Sequence, residues 1–320
     1  MSATPTDSRS HAGFWSNSRT FHLPVSSQID ADGVAGYPID MSVKADSPVW
    51  PRALLLRDAA LHVGLTQYAL GCLERCLAGE GTAWRDAALA AAAHLASVQR
   101  PDGAWVQSRP LPHTFRLPAP WSSAITQGQA ASLFVRLHLQ TGQERFAAIA
   151  RSALEPLWRP QADRGVQGEL AGMPWPEEYP TQPQSHVLNG AIFALWGMRD
   201  VAVGLDDQEA LERFERGVDA LAANLHRYDT GYWSLYSLYP HRIRNRASSF
   251  YHDLHVNQLT VMERLAPRPE FADIRARWQR YAGSRSSRAR AFAWKAAFRL
   301  TNPRNRFLAH RLPGLGLGDA

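Results

Sequence analysis

The sequence predicts a mainly α-helical fold: an α/α barrel, or toroid, of helical hairpins with short β-hairpins in its loops and an extended N-terminal arm. Three observations predict it. Seven segments carry apolar residues at three- and four-residue spacings, turn signals separate them into pairs, and strand-like alternation is confined to short loop stretches. The 320 residues, 45% hydrophobic and including 11 Trp, can bury a sizeable core in one large domain or two small ones.

Residues 1–48, rich in Ser, Asp, Gly and Pro, read as the arm, with short strands expected near "GYPIDMSVKA". Helical periodicity then runs through 52–79, 84–99, 124–142, 144–158, 185–204, 207–229 and 255–266. Gly79 and Gly81 stop the first of these, Pro101-Asp102-Gly103 the second and Thr141-Gly142 the third. Helical hairpins joined by polar loops imply inner helices lining a funnel and a site built by the loops at one end. "GAWVQS" and "TGYWSLYSLY" are the expected loop hairpins. The chain divides into an arm over 1–48, a helical domain over 49–284 and a basic amphipathic tail over 285–320.

Composition narrows the class. No apolar run reaches 18 residues and the opening "MSATPTDSRSHAGFW" lacks an apolar core, so neither a membrane span nor a secretory signal is read and the expected compartment is the cytoplasm. Cys72 and Cys76 lie four apart on one helix, as reduced core cysteines rather than a disulfide or metal site. The chain has 35 Lys and Arg against 29 Asp and Glu, but residues 274–318 hold 11 bases and no acid, leaving a slightly acidic body. In the tail, Phe292, Trp294 and Phe298 interleave with Arg288, Arg290, Lys295 and Arg299. That pattern suits a membrane surface, an anionic polymer or a partner, and equally a last helix packed by its aromatics with a solvated basic face.

Candidate chemistry gathers in four stretches: "WSSAITQGQA", "EEYPTQPQSHVLNG", "YDTGYWSLYSLY" and "SSFYHDLHVNQL". Pro176, Pro180 and Pro183 each remove a donor and restrict the preceding residue, which fixes how Glu177, Glu178 and Tyr179 are aimed. A tyrosine in such a loop also has a packing role open to it. His252 and His255 have H-x-x-H spacing, but no third ligand accompanies them, so no metal site is assigned.

"PWSSAITQGQAASLFVRLHLQTG", "EEYPTQPQSHVLNGAIFALWGMRD", "YDTGYWSLYSLY" and "YHDLHVNQL" resemble, in order and at similar spacing, the C-terminal domain of the D-glucuronyl C5-epimerases. With "HVGLTQYALG" and "DGAWV" the resemblance covers roughly residues 37–283. It implies an α/α barrel that converts D-glucuronate to L-iduronate within a glycan such as heparosan, without a redox cofactor. By matching position it points to Glu178 and Tyr251 as the opposed acid/base pair, with Tyr179 and Tyr236 orienting the sugar or relaying protons.

The residue types suit that chemistry. Removing the C5 proton beside a carboxylate leaves an enolate, and the proton returns from the opposite face. A carboxylate, with a reference pKa near 4.3, can accept at neutral pH and a phenol, near 10, can donate. Donors aimed at the enolate oxygens stabilise it. His255 and Asn257, with His252, are read as binding uronate oxygens or as members of a helix-capping network. Gln127 and Gln129 either line the funnel or satisfy buried backbone. Glu177 is read as solvated or structural, and Asn189 as structural.

The resemblance has gaps. Vertebrate members carry a large β-rich segment before the helical domain, and an Arg that follows the Tyr236 position in those relatives is Tyr239 here. Arg242, Arg244 or Arg246 can supply a carboxylate-binding cation, or the three form an exposed basic loop. The implied partners are a uronate-containing glycan, a membrane surface or glycosyltransferase met by the basic tail at the inner membrane, a second copy of the chain in a homodimer, and no nucleic acid. Two rival readings stand: a polysaccharide lyase that expels the O4 substituent after the same proton abstraction, and a non-catalytic glycan-binding or complex-forming protein.

Overall fold

The computed structural model describes residues 22–30, 32–49, 62–111 and 113–302. Among them the chain runs α1 (His62–Leu77), α2 (Thr82–Val98), α3 (Ala124–Thr141), α4 (Glu144–Trp158), β1 (Gln167–Leu170), β2 (Met173–Pro176), α5 (Leu188–Gly204), α6 (Gln208–Asn224), α7 (Ser249–Leu265), α8 (Pro269–Gly283) and α9 (Arg285–Thr301). The protein is mainly helical, and no helix of the described residues is long and apolar enough to cross a membrane.

The helices alternate in character. α3 buries every residue from Ala124 to Leu137, and α5 buries nearly all of Leu188 to Ala202. α4 and α6 instead bury one stripe each, such as Phe146, Ala150, Ala153, Leu154 and Leu157 on α4. Contacts follow this alternation: α1 packs on α2 and α3, α3 on α4 and α5, α5 on α6 and α7, and α7 on α8. Among the described residues the helices therefore pack as successive pairs, α1 with α2, α3 with α4, α5 with α6 and α7 with α8. The tightest contact needs glycine. A Cβ on Gly128 would sit 2.5 Å from the Ala194 Cα, and one on Gly197 2.3 Å from the Gly128 carbonyl oxygen, so α3 and α5 meet backbone to backbone.

The described part of the arm is packed down. Tyr37, Ile39 and Met41 are buried, a single bridge pairs Val25 with Ile39, and a 3₁₀ turn spans Ser42–Lys44. Arg136 of α3 donates to the Gly33 and Gly36 carbonyls and pairs with Asp200 of α5 at 2.6 Å, both side chains 1% exposed. The arm is thus tied to α3 through the same arginine that pairs α3 with α5.

Several boundaries differ from the sequence expectation. The first helix is described only from His62, and its expected start over 52–61, like tail residues 303–320, lies outside the described residues. α7 begins at Ser249, ahead of the periodic stretch from His255, because the Ser248 side chain caps it by accepting from the Tyr251 amide. α8 is not among the periodic segments above: its buried face is only Phe271, Ile274 and Trp278, set among bases. "GAWVQS" and "TGYWSLYSLY" contribute isolated bridges, Gln107 with Trp121, Asp229 with Ser234 and Leu235 with Arg246. The two-stranded ladder is instead β1–β2, closed tightly by Ala171 and Gly172 at φ 53° and 79°. It delivers the chain directly into Glu177. Cys72 is buried, Cys76 half-buried, and both are free thiols.

Candidate active site

The backbone of Glu177 and Glu178 is clamped between Val166, just ahead of β1, and the start of α3. The Glu177 amide donates to Val166, its carbonyl accepts from the Ala124 amide, and the Ser123 hydroxyl donates to the Glu178 carbonyl at 2.7 Å. From this clamp the two carboxylates go separate ways. Glu177, fully buried, accepts from the Ser185 hydroxyl at 2.6 Å and the His186 amide at 2.9 Å, with the His186 Nδ1 2.6 Å from its other oxygen. The alternative of a structural Glu177 is the one realised, and it is not solvated.

Glu178 is 5% exposed and has no cation beside it among the interactions described. Its partners are the Tyr179 hydroxyl and, at 3.5 Å, the Asn189 amide. Burial pushes its carboxyl up to about 7; the hydrogen bond from Tyr179 opposes the rise and the neighbouring Glu177 charge adds to it. Space for it depends on Gly190, where a Cβ would lie 2.4 Å from Glu178 Oε2.

The tyrosines complete a connected group. Tyr179 interacts with both Glu178 and Tyr236, and the Tyr236 and Tyr251 rings meet edge to face at 4.8 Å. Burial raises Tyr179 and Tyr236 well above the ordinary phenol range, reinforced by the Glu178 charge, so both hold their protons. Tyr236 sits on the middle of three extended segments bridged at Val187 to Ser237 and Leu235 to Arg246. Tyr251 projects from the first turn of α7 and is only half-buried. Three separate stretches of the chain, carrying Glu178 with Tyr179, Tyr236 and Tyr251, therefore form one contiguous set.

Around this set lies an aromatic wall. His113 stacks on Phe115, Tyr179 and Tyr236 at 4.8, 5.4 and 6.0 Å, and Trp121 meets Tyr179 at 6.0 Å. Nothing in the spacing around "PLPHTF" marks His113; only the fold brings it to the tyrosines. Asn189, expected to be structural, is drawn to Glu178, and Gln258 donates to the Asn189 carbonyl behind it.

Other candidates are placed elsewhere. The Gln127 side chain accepts from the Trp105 amide and donates to the Gly103 and Ala153 carbonyls, so it satisfies buried backbone. Gln129 donates to the Tyr37 hydroxyl and accepts from Gln67. Asn257 donates to the Leu23 carbonyl and holds the arm. His252 stacks on Trp233 at 3.7 Å, accepts at Nδ1 from the Ser234 amide and donates from Nε2 to the Trp278 carbonyl. That pairing fixes a neutral tautomer and occupies both nitrogens of the H-x-x-H pair's first member. His255, fully buried, meets the Ser234 hydroxyl through Nδ1, and its Nε2 has no hydrogen-bond partner among the described residues. Desolvation holds both imidazoles below their ordinary range. No group of three metal-ligating side chains occurs among the described residues.

The three loop arginines diverge. Arg242 is exposed, Arg244 donates to the Arg227 carbonyl, and Arg246 donates to the Tyr232 hydroxyl and lies over Trp294 at 4.5 Å. Arg244 also lines an open cleft of about 470 Å³ with His226, Arg227, Tyr239 and His241. The basic tail is partly docked: α9 buries Ala291 and Phe298, and Ala291 joins the cluster that holds Tyr179 and Tyr236. Phe292 and Leu300 remain exposed.

Residues 102–280, which carry Glu178 and all three tyrosines, match the family described as D-glucuronyl C5-epimerase C-terminus. The chain belongs to that family. A D-glucuronyl C5-epimerase of Caenorhabditis elegans is 33% identical over 181 residues, 52% of this chain and 29% of the relative. The chain therefore spans well under a third of that relative's length. The match to the epimerase C-terminal family ends before α9, although α9 packs on the same aromatic cluster.

Proposed function

We propose that the chain is a uronosyl C5-epimerase that converts D-glucuronate to L-iduronate residues in a polysaccharide or lipid-linked glycan, of which heparosan is the model polymer. The observation that carries this reading is the buried Glu178 carboxyl, pushed up to about 7 by burial and joined through Tyr179 to Tyr236 and so to Tyr251. A base with a pKa near the working pH combines a usable ionised fraction with a strong pull on the proton. Glu178 takes the C5 proton on one face of the sugar and the Tyr251 phenol returns one on the other. Tyr179 and Tyr236, kept protonated by burial, donate to the developing enolate. The His113, Phe115 and Trp121 wall supports the sugar ring and keeps water from the carbanion.

In this reading the alternating helices close into an α/α barrel whose site end holds the tyrosines, and the cleft lined by Arg227 and Arg244 receives neighbouring anionic sugars. The exposed aromatic and basic side chains of the tail hold the enzyme at an anionic membrane or a glycosyltransferase on the cytoplasmic side.

The test is incubation with glucuronate-containing glycans in deuterated water, following uronate H5 by NMR together with ultraviolet absorbance. Loss of H5 with iduronate signals and no absorbance is the expected result. Growth of the unsaturated-uronate band would assign β-elimination, the lyase chemistry, instead. Binding with no exchange would assign a non-catalytic glycan-binding protein.

A further inference from the structure

The proposed chemistry leaves a negative carboxylate in the site, and the side-chain contacts described for the loop arginines Arg244 and Arg246 go elsewhere. Arg246 is engaged with Tyr232 and Trp294, Arg244 with the Arg227 carbonyl, and Arg242 is exposed. A lysine does reach the tyrosines. The Lys295 ammonium of α9 lies 5.8 Å from the centre of the Tyr236 ring and 5.4 Å from that of Phe298.

Its position is set from two sides. Lys295 Nζ donates to the Asn245 side-chain oxygen and to the Arg246 carbonyl, both at 2.8 Å. Asn245 is itself buried, and its carbonyl accepts from the Tyr236 amide. Asn245 thus joins the segment that holds Tyr236 to the helix that carries Lys295. α9 is anchored on the same cluster by Ala291 and by Phe298, which meets His241 edge to face at 5.0 Å. A lysine held half-buried beside aromatic faces interacts more strongly with an anion than a surface lysine, because less water screens it.

We propose that α9, beyond the residues that match the family, completes the site and that Lys295 is the cation that recognises the uronate carboxylate. The inference rests on the epimerase reading of Glu178 and the tyrosines. Its chemistry is a charge-assisted hydrogen bond to the carboxylate, strengthened as negative charge gathers on the same oxygens during C5 deprotonation. A lysine, unlike an arginine, meets the group as a compact point charge with rotatable donors.

The experiment is calorimetric titration of the full chain with a glucuronate-containing oligosaccharide and with its carboxyl-reduced counterpart. Wild type is expected to prefer the acid by about ten- to a hundredfold, the range of one charged hydrogen bond. Lys295→Ala should bind both sugars alike, and Lys295→Arg should restore most of the preference. Asn245→Ala loosens the loop while leaving the ammonium, and should keep the preference. Equal binding of the two sugars by wild type would overturn the uronate reading itself. A preference retained in Lys295→Ala would overturn the Lys295 assignment alone. Loss of preference in Asn245→Ala to the same extent as in Lys295→Ala would show Lys295 to be a tether, which also overturns it. Thermal melts of each variant separate these outcomes from unfolding.

Discussion

Two buried carboxylates of this molecule have opposite surroundings. Asp200, on the arm side of α5, meets the Arg136 guanidinium at 2.6 Å, and Arg136 is in turn held by arm carbonyls. Glu178, on the loop ahead of α5, meets tyrosine hydroxyls and an amide, and burial raises it to about 7. A cation makes a buried carboxylate a structural fixture, and its absence leaves a group that can carry a proton. A raised carboxyl alone does not mark a site. Glu74 is also pushed up to about 7 by burial, yet its hydroxyl partner is Ser26 and it belongs to the arm contact. The tyrosine chain is what distinguishes Glu178.

Glu178→Gln should lower H5 exchange by about 10³-fold or more, within the range for removing a positioned base, with the melting profile retained. Tyr251→Phe should follow at about 10²- to 10³-fold in the same assay. The arm side should answer in stability instead. Asp200→Ala leaves Arg136 buried without its partner and should cost about 3–5 kcal/mol in denaturant unfolding.

A pH series sharpens the contrast. Glu178 binds its proton more tightly folded than unfolded, so it weakens the fold as pH rises from about 4.5 to about 7. Up to about 3 kcal/mol of stability should be lost across that window in wild type relative to Glu178→Gln, by unfolding midpoints at pH 5 and pH 8. Identical pH dependence in the two proteins would contradict the raised carboxyl. The smallest effect expected is at Gly190. Gly190→Ala forces a Cβ against Glu178 Oε2 and should cost about 1–3 kcal/mol by overpacking, together with a loss of activity that wild-type stability cannot explain.

Much of the helical content was legible because α3 and α5 carry apolar residues at three- and four-residue spacings, and Thr141-Gly142 marks the end of α3. Glu178, Tyr179, Tyr236 and Tyr251 were legible as motif positions, and the structure brings them together. The chemistry of single polar residues was less readable. Gln127 and Asn257 are polar side chains in the motifs, but which group each one bonds depends on backbone carried in from Gly103, Ala153 and Leu23. His113 and Lys295 reach the tyrosines only through long-range folding, so no local spacing announces them. α8 escaped the periodicity because three buried residues among bases make a weak apolar stripe.

With Glu178 as the base, the rate of solvent-deuterium incorporation at uronate H5 depends on pH through its carboxyl. In wild type it should rise through a midpoint near 7 as Glu178 ionises, and in Glu178→Gln it should fall to background at every pH. Exchange that persists in Glu178→Gln with an unchanged pH profile would contradict it.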